Sequence, residues 1–270
     1  MTSQQASEVS VQFEAVGGIA AVWLNRPDAA NSINLGLAAE LRQTFALIAA
    51  RQDIRVVILR GRGGKFCAGG DMGMFVEFAD ELGSHLRGVI GDFHAAVQAI
   101  HDLSVPVVAV VEGPAAGGGM SLALACDFVI AEEKSKFAPA YRKLGATSDG
   151  GLCKLLSDAV GQRKALELML TGNVLTANDA LALGLVNRVV PADRLEHEVA
   201  SLCETLAANS GPANAGVKKL IYGASRASLG EQLAGELEVF CGLAEGPDFR
   251  EGVRAFAERR PPNFSRASAE

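Results

Sequence analysis

The stretch "SVPVVAVVEGPAAGGGMSLALACDFVIAEE", residues 104–133, decides the fold class. It opens and closes on near-continuous apolar runs, "VVAVVEG" and "FVIAEE", the pattern of strands covered on both faces. Between them, Gly117, Gly118, Gly119 and the small-residue "MSLALACD" read as a glycine-rich strand exit that runs into a helix. Strand, helix, strand in that order predicts an α/β core with parallel pairing.

Working outward, "VVILRGRGGKFCAGGDM" (56–72) repeats the plan of strand, glycines and helix start. Upstream, "VSVQFEAV" and "IAAVWLN" read as a hairpin turned at Gly17 and Gly18. "NLGLAAELRQTFALIAARQ" then carries Leu35, Leu37, Leu41, Phe45 and Leu47 on roughly one helical face. A long amphipathic helix is expected from about Asp80 to Leu103. "GLCKLLSDAV", "QRKALELML" and "TANDALALG" read as helices, as do 192–209, 212–224, 228–244 and 247–258, with only "LVNRVV" strand-like among them. We expect a core over residues 1–200 and a helical C-terminal region over 201–270.

Composition narrows the function classes. With 270 residues, 49% of them hydrophobic, the chain is long enough to bury one large core. Its net charge of −6, with acidic and basic side chains intermixed, offers no field for a phosphate backbone, so nucleic acid is not expected as a partner. "MTSQQASEVS" lacks the basic and apolar regions of a signal peptide, and no apolar run nears the roughly 18 residues of a spanning helix. We therefore expect no membrane association and a cytoplasmic location. Five cysteines without a CxxC pair and four histidines without HExxH argue against a disulfide framework and a dedicated metal site.

The two glycine-rich strand exits have a chemical use. Glycine lets the backbone approach a ligand, and the first N–H groups of the following helix are free to bind an anion. Two such junctions facing each other would aim two donors at one oxygen, as an oxyanion hole does. Other glycine motifs fit less well: Leu122 stands where the third glycine of GxGxxG belongs, Gly64-Lys65-Phe66 breaks a phosphate loop, and Ser121 is followed by Leu122 and Ala123 rather than a nucleophile elbow. Tight turns and close helix packing would explain the same glycines without a ligand.

"LNRPDAANSIN", "FCAGGDM", "SVPVVAVVEGPAAGGGMSLALACDFVIAEEKSKF", "GNVLTANDALALGLVNRVV" and "DFREGVRAFAERRPPNF" resemble, in order, the crotonase superfamily of enoyl-CoA hydratases and isomerases. The resemblance runs from about residue 10 to 265. It implies a ClpP-like crotonase spiral of ββα units with a helical C-terminal trimerisation region, giving homotrimers or hexamers. It also implies an acyl-CoA thioester as substrate, with coenzyme A as part of the substrate and no separate cofactor. By the same resemblance, oxyanion donors are expected at the backbone N–H groups of Gly70 and Gly118. The CoA moiety would lie against Ala30, Asn31 and Ser32 and the backbone around Ala68, Asp71 and Met72. Arg259 or Arg260 would either reach the CoA phosphates of a neighbouring subunit or form a solvated surface pair.

Acid and base groups choose the reaction. Hydratases of the family carry two glutamates, whose places here are taken by Ser121 and Tyr141. Twelve residues after Phe137, in "KLGATSDGG", stands Asp149. Local composition reads Asp149 as the cap of a helix starting at "GLCKLL". The resemblance instead implies a proton carrier, as in the ring-1,2-epoxyphenylacetyl-CoA and 3-enoyl-CoA isomerases. In the aryl-CoA dehalogenases the matching aspartate attacks the ring, helped by a histidine whose place is His94. Alternatively, His94 packs or caps on its amphipathic helix. An isomerase is expected, with Ser121, Tyr141 and His94 lining the substrate pocket. A dehalogenase or hydrolase, a hydratase, and a non-catalytic acyl-CoA- or RNA-binding scaffold are the alternatives.

Overall fold

The structure, a computed structural model, describes residues 9–264. A hairpin of β1 (Val11–Val16) and β2 (Ile19–Leu24) leads through α1 (Leu35–Ala49) to β3 (Val56–Gly61). Helices α2 (Met72–Glu77) and α3 (Leu82–Asp102) precede β4 (Val107–Val111), β5 (Pro114–Ala116) and α4 (Gly118–Leu124). Next come β6 (Phe128–Glu132), β7 (Lys136–Ala138), α5 (Leu152–Thr171), β8 (Leu175–Thr176), α6 (Ala177–Ala182) and β9 (Arg188–Val190). The chain closes on α7 (Leu195–Ala208), α8 (Gly211–Ala224), α9 (Leu229–Ala244) and α10 (Pro247–Glu258).

The main sheet has the order β1-β2-β3-β4-β6-β9, antiparallel only in the hairpin and parallel from β2 onward. The continuous apolar runs are explained by what covers the two faces. Val57, Leu59, Val107, Ala109, Val111, Val129 and Ala131 point into the large core with α1, α3 and α4. Their alternates Val56, Val108, Val110 and Ile130 pack against Leu195, Val199, Leu202, Cys203 and Leu206 of α7. Both faces are covered mainly by apolar side chains; the charged exception on β3 is Arg60, buried on the α7 side and bonded to Glu196 of α7 and to Glu112. The predicted α/β class with parallel pairing is the observed one.

A second sheet, β5-β7-β8, lies beside the first. The two strand exits meet there, because Cys67 forms a parallel bridge with Ala115. α5 is the pair of helical stretches expected on either side of residue 161, with Gly161 (φ 75°, ψ 158°) breaking the turn between them. "TANDALALG" differs from its all-helical expectation: Thr176 ends β8, and its side chain forms a capping box with Asp179 that starts α6. The exposed apolar side chains concentrate at the C-terminal end of the chain, on α8 (Val217, Ile221), α9 (Leu229, Leu233, Leu237, Phe240) and α10 (Val253, Phe256). Among the described residues no helix is long and apolar enough to cross a membrane.

Candidate active site

The first exit loop is stitched along residues 30–33: the Ala68 N–H donates to Ala30 O, Ile33 N–H to Gly69 O and Asp71 N–H to Ile33 O. In this parallel bridge the bonds run through residues 69 and 71, so the peptide N–H of Gly70 is turned away from Ile33. The second exit loop crosses behind it. A methyl group on Gly69 (φ 94°) would lie 2.7 Å from Ala116 O, and one on Gly119 only 2.2 Å from Cys67 O. Only glycine permits this approach. Cys67 is buried in that contact, which pushes its thiol up to about 12 and leaves it a packing residue. Gly118 opens α4, where the first N–H groups have no partner within the helix. Among the described residues neither the Gly70 nor the Gly118 N–H has a hydrogen-bond acceptor.

Asp149 faces this opening. A methyl group on Gly118 would meet Ile33 Cδ1 at 2.8 Å, Asp149 Oδ1 at 3.4 Å and the Phe93 ring at 3.4 Å, while one on Gly70 would meet the Phe75 ring at 2.9 Å. The local-composition reading of Asp149 as a helix cap does not hold. α5 takes its cap from Gly151, in the left-handed region, with no side-chain hydrogen bond, and the Asp149 carboxylate turns the other way. Its Oδ1 accepts a 2.6 Å hydrogen bond from the Tyr141 hydroxyl. Burial first, then the charge of Asp149 and this bond, raise the Tyr141 phenol far above its ordinary value, so Tyr141 is a committed donor. Ser121, fully buried on α4, donates to Asp149 O at 3.0 Å and to Gly117 O at 3.3 Å. On the other side, the Gly150 N–H donates to His94 Nε2 at 3.0 Å. The sequence pointed to the three side chains that hydrogen-bond this segment, Ser121, Tyr141 and His94, but not to what each one holds, nor to Ile33 and Phe93, which pack beside it.

The stretches expected around CoA are brought together, with different side-chain availabilities. Met72 and Ala68 are exposed, whereas Asn31 is fully buried and spent on backbone: Oδ1 accepts from Arg26 N, and Nδ2 donates to Arg62 O and Lys65 O. Arg26, which no motif marks, binds Ser32 O and pairs with Asp71 at 2.8 Å. Against the cost of burial, that pairing and the Met74 and Gly73 N–H groups hold the Asp71 carboxyl below its usual range. Arg260 is tied to Glu251 and Glu258 within its own chain. Among the described residues no three His, Cys, Asp or Glu side chains gather as metal ligands would.

An α/β spiral with two glycine-rich exits meeting beside a carboxylate can be compared with known proteins as a whole. A sequence profile described as enoyl-CoA hydratase/isomerase matches residues 14–267. The chain belongs to that family, within the crotonase superfamily. A Rhodobacter capsulatus protein named "Probable enoyl-CoA hydratase" is 36% identical over 95% of this chain and 98% of its own length. The trans-2-decenoyl-[acyl-carrier-protein] isomerase of Streptococcus mutans is 31% identical over 94% of this chain and 97% of its own. The crystal structure of an enoyl-CoA hydratase from Polaromonas sp. JS666 superposes with a TM-score of 0.89 at 32% identity, covering 94% of this chain and 98% of that one. The family match therefore spans the described fold from residue 14, within β1, to its C-terminal end.

Proposed function

We propose that the protein is an acyl-CoA isomerase that shifts a double bond through an enolate thioester, of the 3-enoyl to 2-enoyl or ring-epoxide phenylacetyl type. The observation that carries this reading is the Asp149 carboxylate beside Gly118, with one oxygen held by Tyr141 and the other without a donor among the described residues. The free oxygen removes a proton from the carbon alpha to the thioester, and the electron pair moves onto the thioester oxygen. The N–H groups of Gly70 and Gly118 hold that oxyanion, each lowering the barrier by about 2.7–4 kcal/mol. As the enolate collapses, the new double bond forms between the alpha and beta carbons, and the same aspartate returns the proton to the gamma carbon. One carboxylate suffices for this cycle, whereas hydration needs a base and an acid around a water. By the family resemblance Ser121 and Tyr141 stand where those two groups would, and both hydrogen-bond Asp149. The isomerase name of the Streptococcus mutans relative agrees with this choice, while the hydratase names of others make hydration the product to test against.

The remaining assignments follow from the same reading. The ridge of Ala30, Ser32, Ala68, Asp71 and Met72 carries the CoA moiety, with CoA bound as substrate and no further cofactor. The apolar faces of α8, α9 and α10, where Phe256 is 86% exposed, are covered by other copies of this chain in a homotrimer or a hexamer of two trimers. The location is the cytoplasm. A panel of straight-chain 3-enoyl, phenylacetyl and aryl CoA thioesters, each assayed for isomerised, hydrated and hydrolysed products, tests the proposal. Isomerised product is expected, and hydrated product alone would refute it.

A further inference from the structure

We infer that His94 is a positioning residue that locks the Asp149 loop through an unprotonated Nε2, so that a proton on His94 unlocks the loop and slows the enzyme. The inference rests on Asp149 as the proton carrier. Three side chains from separate elements hold the peptide around Asp149: Tyr141 binds its carboxylate, Ser121 of α4 binds its carbonyl, and His94 of α3 binds the next amide, Gly150 N–H, at 3.0 Å. A backbone N–H can only donate, so Nε2 must offer its lone pair, and the ring proton sits on Nδ1. In the locked state that lone pair is spent on the Gly150 N–H, and taking a proton breaks the bond that positions Asp149, which argues against His94 as a catalytic base.

The three anchors differ in how they fail. The serine and tyrosine hydroxyls stay donors across the whole neutral range, with the Tyr141 phenol raised further by burial and by Asp149. Histidine is the side chain that changes charge between about pH 5 and 8. Once protonated, Nε2 becomes a second donor facing the Gly150 N–H, and one of them has to move. The loop side is able to: Gly150 and Gly151 both have left-handed φ angles, 57° and 74°, and residues 142–147 before them are exposed. Gly150 itself is packed tightly, since a methyl group on it would lie 2.6 Å from Phe93 and 2.7 Å from Ser121 Cβ. A loop that swings away from His94 therefore drags the Asp149 carboxylate off Gly118.

Protons have a path to the ring. His94 is exposed and lines an open cavity of about 460 Å³ with Gly83, Leu86, Arg87, Ile90 and Gly91. The charged and titratable groups placed with it are Arg87, which lines the same cavity, and Asp149 and Tyr141 on the loop that its Nε2 holds through Gly150.

The test compares wild type, His94→Leu and His94→Gln, reading kcat and KM on the substrate found with the thioester panel from pH 5 to 9. The glutamine side chain can place an oxygen where Nε2 lies and cannot be protonated in this range. We expect His94→Leu to lose about tenfold or more in kcat with little change in KM, the size of one lost hydrogen bond to the loop. We expect His94→Gln to recover most of that loss above pH 8 and to move the acid limb of the kcat profile down into the carboxylate range. A wild-type acid limb that persists in His94→Gln overturns the inference, as does a glutamine variant no better than leucine, which would make the imidazole itself chemical. Hydrogen exchange at Gly150 supplies a readout independent of the reaction. Faster exchange in His94→Leu than in the other two proteins is expected, and equal exchange in all three overturns the lock whatever the activity. Exchange that responds while turnover stays flat keeps the lock and refutes Asp149 as the proton carrier.

Discussion

Each of the chain's two tyrosines donates a 2.6 Å hydrogen bond to an aspartate, and the two pairs differ in everything else. Asp127, the residue before β6, accepts from Tyr222 on Oδ1 and from Val107 N and Lys218 Nζ on Oδ2, both at 2.7 Å. Its charge is matched by a lysine on α8 that also binds Val105 O, so the cluster fastens the C-terminal helices to the main sheet. Asp149 has the tyrosine alone, with no cation in reach among the described residues. An acid whose lone pairs are filled and whose charge is paired stabilises a fold. One left half-satisfied in a partly buried place costs stability. The second arrangement persists where the unused oxygen has a task.

The sharpest way to break this comparison is to neutralise each acid in turn. Asp149→Asn keeps the shape and removes the proton carrier, and we expect kcat to fall by about 10²- to 10⁴-fold with Tm and affinity for a CoA ester nearly unchanged. Asp127→Asn leaves Lys218 without its counter-charge in a nearly buried site. There we expect a loss of about 3 kcal/mol in stability, with turnover per folded molecule preserved. Steady-state kinetics and thermal unfolding on both variants decide it: an Asp149→Asn protein that turns over normally but melts early would make the two pairs equivalent.

What could be read in advance follows the same division between local and distant causes. β3, β4 and β6 were visible because burial on both faces writes an apolar run into the sequence, and the α5 break was visible as two helical stretches around Gly161. β5 and β8 were not, since three and two residues are too few to show a period, and their pairing is set by Phe137 and Cys67 elsewhere in the chain. Asp149 shows the limit most clearly. Beside two glycines and a helix it has the composition of a cap, and that local reading failed because Tyr141 and Gly118 decide where its carboxylate points. Position within the family pointed to Asp149, but the bond from Gly150 to a histidine 56 residues away left no local signal.

The tyrosines give a smaller and more discriminating test. In Tyr141→Phe the carboxylate loses its only donor among the described residues, so we expect roughly a 10- to 100-fold loss in kcat, the cost of a hydrogen bond to a charged group. Tyr222→Phe takes one of several donors from Asp127, which keeps Lys218 and Val107 N, so we expect a loss of about 1–2 kcal/mol in stability and none in turnover. Equal effects on turnover in the two variants would mean that the Tyr141 bond does not serve the chemistry.

The smallest effect extends the comparison to a third acid, Glu251 on α10. Like Asp127 it is fully matched, accepting from Arg260 at 2.6 and 3.0 Å and from Asn263 N at 2.8 Å, but it sits near the end of the described chain and holds only the turn beyond α10. The Arg260 hydrogen bonds first, then the Asn263 N–H, lower its pKa to about 2 from an ordinary 4.5. A depressed carboxylate stabilises above its unfolded pKa and loses that contribution as pH falls toward the folded one. The turn at residues 259–264 should therefore loosen between about pH 4.5 and 2, read as faster hydrogen exchange in that segment. Glu251→Gln should show the faster exchange already at pH 7 and respond little to acid. An acid response unchanged in that variant would assign the loosening to another group, and a matched carboxylate would then not by itself mark a fastening point in this fold.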